Sequence, residues 1–318
     1  MKTLNNSKVL VTGGAGFIGY HLVQALVNYG AEVHVIIKKR NIRVKFFHPS
    51  VFLYSVDLRE FTKMKRIIRK IKPNKIFHLA ANVNPARDIS LLDSMIETNL
   101  LGTINLFKSL ENSQIDCFIY IGTCEEYGNN PTPFKENQML NPTSPYSFSK
   151  ASATLFCRMM KNLEDIPAII IRPFLTYGPF QSTKTLIPYV IFHALENKEI
   201  KITKGEQKRE FNYVSDIVDG IIKASITPRA IGEIINLGNG RQYKIRDVVN
   251  KILSIIKPSI PLKFGALPYR KSEIWNFYCE NKKAKEILGW KPTITLDKGL
   301  KLTIQWYKQN IDLIKRLD

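Results

Sequence analysis

The sequence predicts an α/β fold: a doubly wound parallel sheet with helices on both faces, followed by a smaller C-terminal α/β part. Three observations carry this. Short apolar runs alternate with helical patterns from Lys8 to about Ile170, and the first run opens directly into a glycine turn. Beyond Pro173 the alternation breaks into shorter elements punctuated by proline and glycine. Residues 1–173 are therefore expected to form the main unit. Residues 174–318 are expected to form mainly a second unit that supplies specificity, with some later segments returning to the first.

The strands are expected at Val9 to Thr12, Glu32 to Ile37, Lys75 to Leu79, Cys117 to Ile121 and Ala168 to Ile171. The first runs into Gly13, Gly14, Ala15, Gly16, Phe17, Ile18 and Gly19, then into an apolar helical pattern through Val27. Strand, glycine turn and helix form the context of a dinucleotide-binding, Rossmann-type unit. Glycines let the backbone approach a pyrophosphate, whose charge meets free amides and the positive end of the helix dipole. A tight turn would explain the glycines equally well by themselves. The spacing Gly13, Gly16, Gly19 also departs from the usual fingerprint, in which the first two glycines lie closer together.

The second strand normally ends on a carboxylate that accepts from the adenosine ribose. Here it ends on Lys38, Lys39 and Arg40, cations that suit a 2′-phosphate, so NADP(H) is expected over NAD(H). The alternative is that they begin a solvated loop. The net charge of +20 raises nucleic acid as a partner. Its densest run, Lys63 to Lys72, argues otherwise, because Met64, Ile67, Ile68 and Ile71 recur at helical spacing and leave the cations on a solvated face. No nucleic-acid partner is expected, and a basic surface suits an anionic small substrate.

Thr123 follows the apolar run Cys117 to Ile121, at the edge where open parallel sheets place their ligands. Tyr146 and Lys150 are four positions apart behind Pro145, so a helix there presents both on one face. A nearby ammonium favours phenolate and is expected to draw Tyr146 toward the working range of a base.

In this order the glycine loop TGGAGFIG, Thr123, Tyr146 and Lys150 resemble the extended short-chain dehydrogenase/reductase superfamily. HLAA at His78 to Ala81, Asn99 in NLLGT, Tyr127 with Gly128, Arg172 in RPFLTYGP, Arg209 in KREFNYVSD and GWKP at Gly289 to Pro292 extend the resemblance over nearly the whole chain. It implies a nucleoside-diphosphate sugar as substrate. Tyr146 would move a proton on the sugar C4 oxygen while hydride passes between C4 and the nicotinamide. Lys150 would hold the nicotinamide ribose, and Asn99 would help order the site. Phe17, Ile18, Asp57, Leu58, Leu79, Ala80 and Ala81 would contact the cofactor, and Arg209 and Arg270 would clamp the diphosphate. Surface solvation is the alternative for both arginines.

The stretch Thr123, Cys124, Glu125, Glu126, Tyr127, Gly128 narrows the reaction. Family 4,6-dehydratases carry Thr, Asp, Glu here, the Asp as proton donor and the Glu as base. Glu125 matches that Glu, whereas Cys124 replaces the Asp with a weaker acid. The same stretch resembles a 5,6-dehydratase and reductases of 4-keto-6-deoxy sugars, and GEQKREF and LGWKP resemble NADPH-dependent C4 reductases. An NADPH-dependent 4-keto (deoxy)sugar reductase is the first expectation. A 4,6- or 5,6-dehydratase or a 4-epimerase is the alternative, and a non-catalytic dinucleotide sensor is the reading from another class. Leu175, where the family commonly has Asn, points to unusual substrate contacts.

The N-terminus has no apolar run of signal-peptide length, and no stretch is apolar enough for a membrane span, so a cytoplasmic enzyme is expected. Cys117, Cys124, Cys157 and Cys279 show no paired spacing, which suits a reducing compartment without a metal site. Helical patterns at Leu92 to Leu110 and Tyr146 to Leu163 carry more apolar residues than one core-facing stripe needs, among them Phe148, Leu155, Phe156, Met159 and Met160. In relatives this pair forms a four-helix dimer interface, so a homodimer is expected. Full burial within one subunit is the alternative.

Overall fold

The computed structural model describes residues 4–111, 113–259, 262–270 and 273–316. Strands β1 (Lys8–Thr12), β2 (Glu32–Ile37), β3 (Phe52–Ser55), β4 (Lys75–His78), β5 (Cys117–Ile121) and β6 (Ala168–Pro173) join Ile234–Leu237 in one seven-stranded sheet. Its order is Ile234–Leu237, β6, β5, β4, β1, β2, β3, and every pairing is parallel. The expected doubly wound α/β fold is the one observed. Such a sheet is covered on both faces, which is why its central strands read as unbroken apolar runs.

Alternate residues of β1 serve opposite faces. Val9 and Val11 pack with Leu22, Val23 and Leu26 of α1 (Phe17–Asn28), while Leu10 packs with Met64 and Ile68 of α2 (Phe61–Ile71). The cations of α2 lie on its outer side, Lys63, Arg66, Arg69 and Lys70 being exposed. The second face also holds α3 (92–109) and α4 (Pro145–Glu164). Helix α3 runs from an α turn, Leu92–Met95, through a π segment, Ile96–Leu101, to a further α segment, Gly102–Ser109. The π register is marked by Gly102 N–H bonding Glu97 O, five residues back.

Two strands of the sheet lie outside the five expected from the sequence. β3 and Ile234–Leu237 are each four residues long, too short for periodicity to separate them from loop. The late strand pairs with β6, and the helix Val214–Ser225 packs through Val214, Ile217 and Ile221 into the same cluster as Val9 and Val11. Segments beyond residue 173 thus complete one face of the main sheet. The remaining late elements have their own core, in which Val190, Ile191, Val248, Ile252, Leu300 and Ile304 join helices Leu186–Leu195, Ile245–Ile256 and Leu296–Gln309.

Trp290 anchors this arrangement. It is fully buried in the first-face cluster and donates its indole N–H to Asp216 O at 2.9 Å. Trp290→Ala leaves a large cavity and orphans that carbonyl, so unfolding stability is expected to fall by about 3–5 kcal/mol in a denaturant titration. A loss below about 1 kcal/mol would show that the late helix is not held this way.

Candidate active site

The glycine loop sits where β1 meets α1. Gly13 has φ +72°, and a Cβ there would lie 2.6 Å from Ala80 N. A Cβ at Gly19 would lie 2.2 Å from Gly13 O. These positions are closed to any side chain, so the turn packs directly on the backbone that follows β4. Gly16 caps α1 with no side-chain hydrogen bond, and the first turn, which includes Phe17 and Ile18, has no acidic residue. Unclaimed amides and an uncompensated dipole end are what a pyrophosphate requires, so these residues fit a dinucleotide. Leu79, Ala80 and Ala81, all half-buried, line the neighbouring edge after β4, with Leu79 N–H bonded to Thr12 O at 3.1 Å.

At the end of β2 the three cations behave differently. Lys38 pairs with Asp57 at 3.1 Å, and Arg59 pairs with the same carboxylate at 2.9 Å. Arg59, followed by Lys38, holds the Asp57 carboxyl well below the usual range against the opposing effect of partial burial. The strand end therefore gains through space the carboxylate that its own sequence lacks. Lys39 and Arg40 are exposed, and Leu58 is buried beside Gly102 of α3.

The second half of the site is built on the turn after β5. Thr123 caps the short 3₁₀ turn Cys124–Tyr127 in a capping box, its Oγ1 accepting from Glu125 N at 3.3 Å while Glu126 Oε1 accepts from Thr123 N at 2.8 Å. Opposite lies α4, whose start follows from sequence. Ser144 and Ser147 cap each other reciprocally and Pro145 occupies the first turn. The tyrosine next in line, Tyr146, is buried, with the Thr123 side chain among the groups that act on its phenol.

Burial pushes the Tyr146 phenol well above its ordinary value, the Glu125 carboxylate adds to this, and the Thr123 hydrogen bond opposes it. The expectation that Lys150 draws the tyrosine toward phenolate is not met. Lys150 is not among the main influences on Tyr146: its ammonium donates to Ile121 O at 2.6 Å and lies 4.2 Å over the Tyr120 ring. Its own pKa is lowered by burial to about 8.

Cys124 is buried among Tyr127, Phe134, Phe174, Phe277 and Cys279, and burial raises its thiol far above the usual range. A thiol so placed is a poor proton donor. Glu125 is half-buried and also shifted upward by burial, with Arg270, Arg87 and Arg209 opposing. Those three arginines line one cleft with Glu125, Thr143 and Leu175. Arg209 bonds Ile274 O and pairs with Glu273, while Arg270 is exposed at the rim. An incoming diphosphate would exchange with Glu273 for the Arg209 guanidinium. Arg87 had no signal in the sequence beyond an ordinary loop cation.

Asn99 lies in the π segment of α3. Its Oδ1 accepts from Asn82 N at 2.7 Å, and its Nδ2 donates to Asn82 O at 3.1 Å and Ser149 Oγ at 2.9 Å. One asparagine thus joins the loop after β4 to α4. Asn82 and Ser149, absent from the sequence reading, are its partners.

The family model for GDP-mannose 4,6 dehydratase matches residues 10–303. The chain belongs to the nucleotide-sugar epimerase/dehydratase family. This is the extended short-chain dehydrogenase/reductase group, whose members are enzymes of nucleoside-diphosphate sugars. Among curated relatives, dTDP-glucose 4,6-dehydratase 1 of Escherichia coli K12 is 31% identical, covering 95% of this chain and 93% of its own. The fold matches UDP-glucose 4-epimerase of Thermotoga maritima, solved with UDP-glucose, at a TM-score of 0.90, 27% identity and coverage of 96% and 99%. UDP-glucuronic acid 4-epimerase of Bacillus cereus, solved with UDP-glucuronic acid and NAD, matches at a TM-score of 0.85, 29% identity and coverage of 95% and 99%. The epimerase/dehydratase fold of this chain contains no helix, among the described residues, long and apolar enough to cross a membrane.

Lys150 yields a pH prediction with a definite sign. Below about pH 8 it is an ammonium in both folded and unfolded chains, and the folded chain bears the whole cost of burying it. From about 8 up to the ordinary lysine range the folded chain has lost the proton that the unfolded chain keeps, so stability from this site rises with pH. Thermal unfolding of the wild type and Lys150→Met is expected to show the wild type gaining on the variant between about pH 7 and 9.5. A constant or shrinking difference would mean the ammonium is not buried at this cost.

Proposed function

We propose that this enzyme transfers hydride to C4 of a nucleoside-diphosphate 4-keto (deoxy)sugar, with NADPH as donor and Tyr146 as the proton source. The observation that carries this is the burial of Tyr146 beside Thr123 and the Glu125 carboxylate, surroundings that favour the protonated phenol. Hydride addition to a ketone leaves an alkoxide, a stronger base than phenolate, so a phenol that has kept its proton can pass it there, whereas oxidation of an alcohol needs the phenolate. Cys124 weighs in the same direction, because 4,6-dehydration requires an acid where this chain has a buried thiol.

A bound nicotinamide cofactor supplies the hydride. The residues do the rest. The glycine loop and the start of α1 would hold its pyrophosphate, Lys150 its nicotinamide ribose, Asp57 and Leu58 its adenine end. Arg209 and Arg270 would take the sugar diphosphate, leaving the sugar between Glu125 and Thr123. Thr123 then hydrogen-bonds the C4 oxygen while Tyr146 passes its proton there, and solvent restores the phenol. Lys39 and Arg40, exposed beside the end of β2, would meet a 2′-phosphate.

A second reading, 4-epimerase with resident NAD, is favoured by a separate observation. The Asp57 carboxylate beside Lys38 suits an unphosphorylated ribose, and the Bacillus cereus relative is an epimerase solved with NAD.

We also propose a homodimer. Phe148, Leu155 and Met159 stand about half exposed on one side of α4, whereas Phe156 and Met160 turn inward to the second-face core. Partial exposure of three large apolar side chains along one helix suits a second copy of α3 and α4 against them. Light scattering is expected to return twice the chain mass, and Leu155→Glu to return one; a monomeric wild type would remove the proposal.

The function itself is tested by mass analysis of the purified protein for nicotinamide, then incubation of candidate nucleotide sugars with and without NADPH. Consumption of NADPH with a 4-keto sugar is expected, and Tyr146→Phe should lower kcat by about 10²–10⁴ with an unchanged fold. Turnover on tightly held NAD without NADPH consumption would replace the reductase with the epimerase. Undiminished activity in Tyr146→Phe would remove Tyr146 from both.

A further inference from the structure

His78, the last residue of β4, is buried with its ring among those of Phe118 and Tyr120 and is not among the residues that line the cleft. Its two ring nitrogens are nonetheless both occupied. Nδ1 lies 2.6 Å from Thr12 Oγ1, and Nε2 lies 2.9 Å from Thr103 Oγ1. The outer ends of these contacts decide where every proton sits. Thr103 Oγ1 is 2.6 Å from Asn99 O, and a carbonyl can only accept, so Thr103 must donate there. With its one proton spent, Thr103 can only accept from His78, which places the imidazole proton on Nε2. Nδ1 of the neutral ring is then an acceptor for Thr12 O–H, and Thr12 Oγ1 in turn accepts from Ala80 N at 3.3 Å.

The imidazolium form, which would reverse the first link, is opposed by complete burial and by the Lys150 ammonium, which together bring the His78 pKa down to about 3. The result is one polarised chain running from the Ala80 amide through Thr12, His78 and Thr103 to the Asn99 carbonyl. Each end touches the candidate site. Ala80 N is the atom against which Gly13 packs, and the Asn99 side chain continues to Ser149 Oγ, which donates to Tyr146 O at 2.8 Å.

We propose that His78, as its Nε2–H tautomer, is a positioning residue that sets the π segment carrying Asn99, and through it the backbone of Tyr146, relative to the glycine loop. This rests on reading Tyr146 as the proton-carrying group. The relay spans both faces of the reaction geometry, since one end bears on the loop that would hold the cofactor and the other on the helix that bears the phenol. A chain whose links all point one way is also more strongly bound than the same links taken singly. Losing one link therefore loosens Asn99 without removing any group that meets substrate.

Two readouts test this without depending on the reaction. In ¹⁵N-histidine spectra of the full chain, the signal missing from His78→Gln is expected to be a neutral Nε2–H imidazole that does not move between about pH 5 and 8. A signal of the Nδ1–H tautomer, or one titrating in that range, would overturn the proposal. Should His78→Gln fail to fold, the same signal is identified in Thr103→Val by its shift on losing its acceptor. Thr103→Val is further expected to speed amide exchange at Asn82, the residue that Asn99 clamps, by about tenfold. With an active substrate in hand, Thr103→Val should lower kcat about tenfold while leaving the nucleotide-sugar KM within about twofold. Unchanged exchange at Asn82 would sink the relay. Should no nucleotide sugar be turned over by the wild type, the functional reading fails, and the tautomer and exchange data still decide this one.

Discussion

Glu126 and Arg172 form an ion pair at 2.9 Å with side chains almost wholly removed from solvent, and the turn bearing Thr123, Cys124 and Glu125 is built on it. Burying two charges costs several kcal/mol for each ion, so such a pair persists only where its remaining valences are met. Here they are. The second Glu126 oxygen takes the Thr123 amide, and Arg172 donates to Tyr127 Oη at 2.9 Å while its guanidinium lies 4.7 Å over the same ring. Tyr127 donates its own hydroxyl to Asn236 Oδ1 at 2.8 Å. Residues from the turn, from β6 and from the late strand Ile234–Leu237 thus satisfy one another. A slipped register anywhere in that set leaves a bare charge in the core.

The same network explains why the site is so closely packed behind its front wall. A Cβ on Gly122 would lie 2.5 Å from Glu126 Oε1, so the strand end can approach the carboxylate only as glycine. Tyr146, Lys150 and Cys124 are all pressed into this low-dielectric region, and burial is the first cause of each shift in acidity: the tyrosine and thiol up, the lysine down. Every one of these groups is moved toward its neutral form. Further charge gathers at the mouth, where Glu125 meets Arg87, Arg209 and Arg270. A closely packed floor beneath a rim of guanidinium groups suits a substrate whose charge resides in its diphosphate.

Much of this was legible in the chain. The glycine loop, the apolar strands, the proline that opens α4 and the four-residue step from Tyr146 to Lys150 are local patterns, each dictated by neighbours within one turn or one strand. The parallel sheet followed from their alternation, and membership of the epimerase/dehydratase family from their order. The cation run after β2 was read correctly as residues and incompletely as chemistry. Lys38 meets the Asp57 carboxylate at the end of the neighbouring strand, a contact that only parallel register creates. Lys150 was placed on the correct helix face, yet what its ammonium meets is the Ile121 carbonyl on another element.

Sequence by itself determined which groups this protein possesses and on which elements they ride, because helix and strand periods are set by residues close along the chain. Tertiary structure alone decided what those groups are chemically. Protonation, tautomer and partner depend on burial and on contacts spanning tens of residues: Arg172 with Glu126, Asn236 with Tyr127, Thr103 with His78. Such contacts arise only when distant segments are brought to the same edge of the sheet, and no local pattern in the chain encodes that distance.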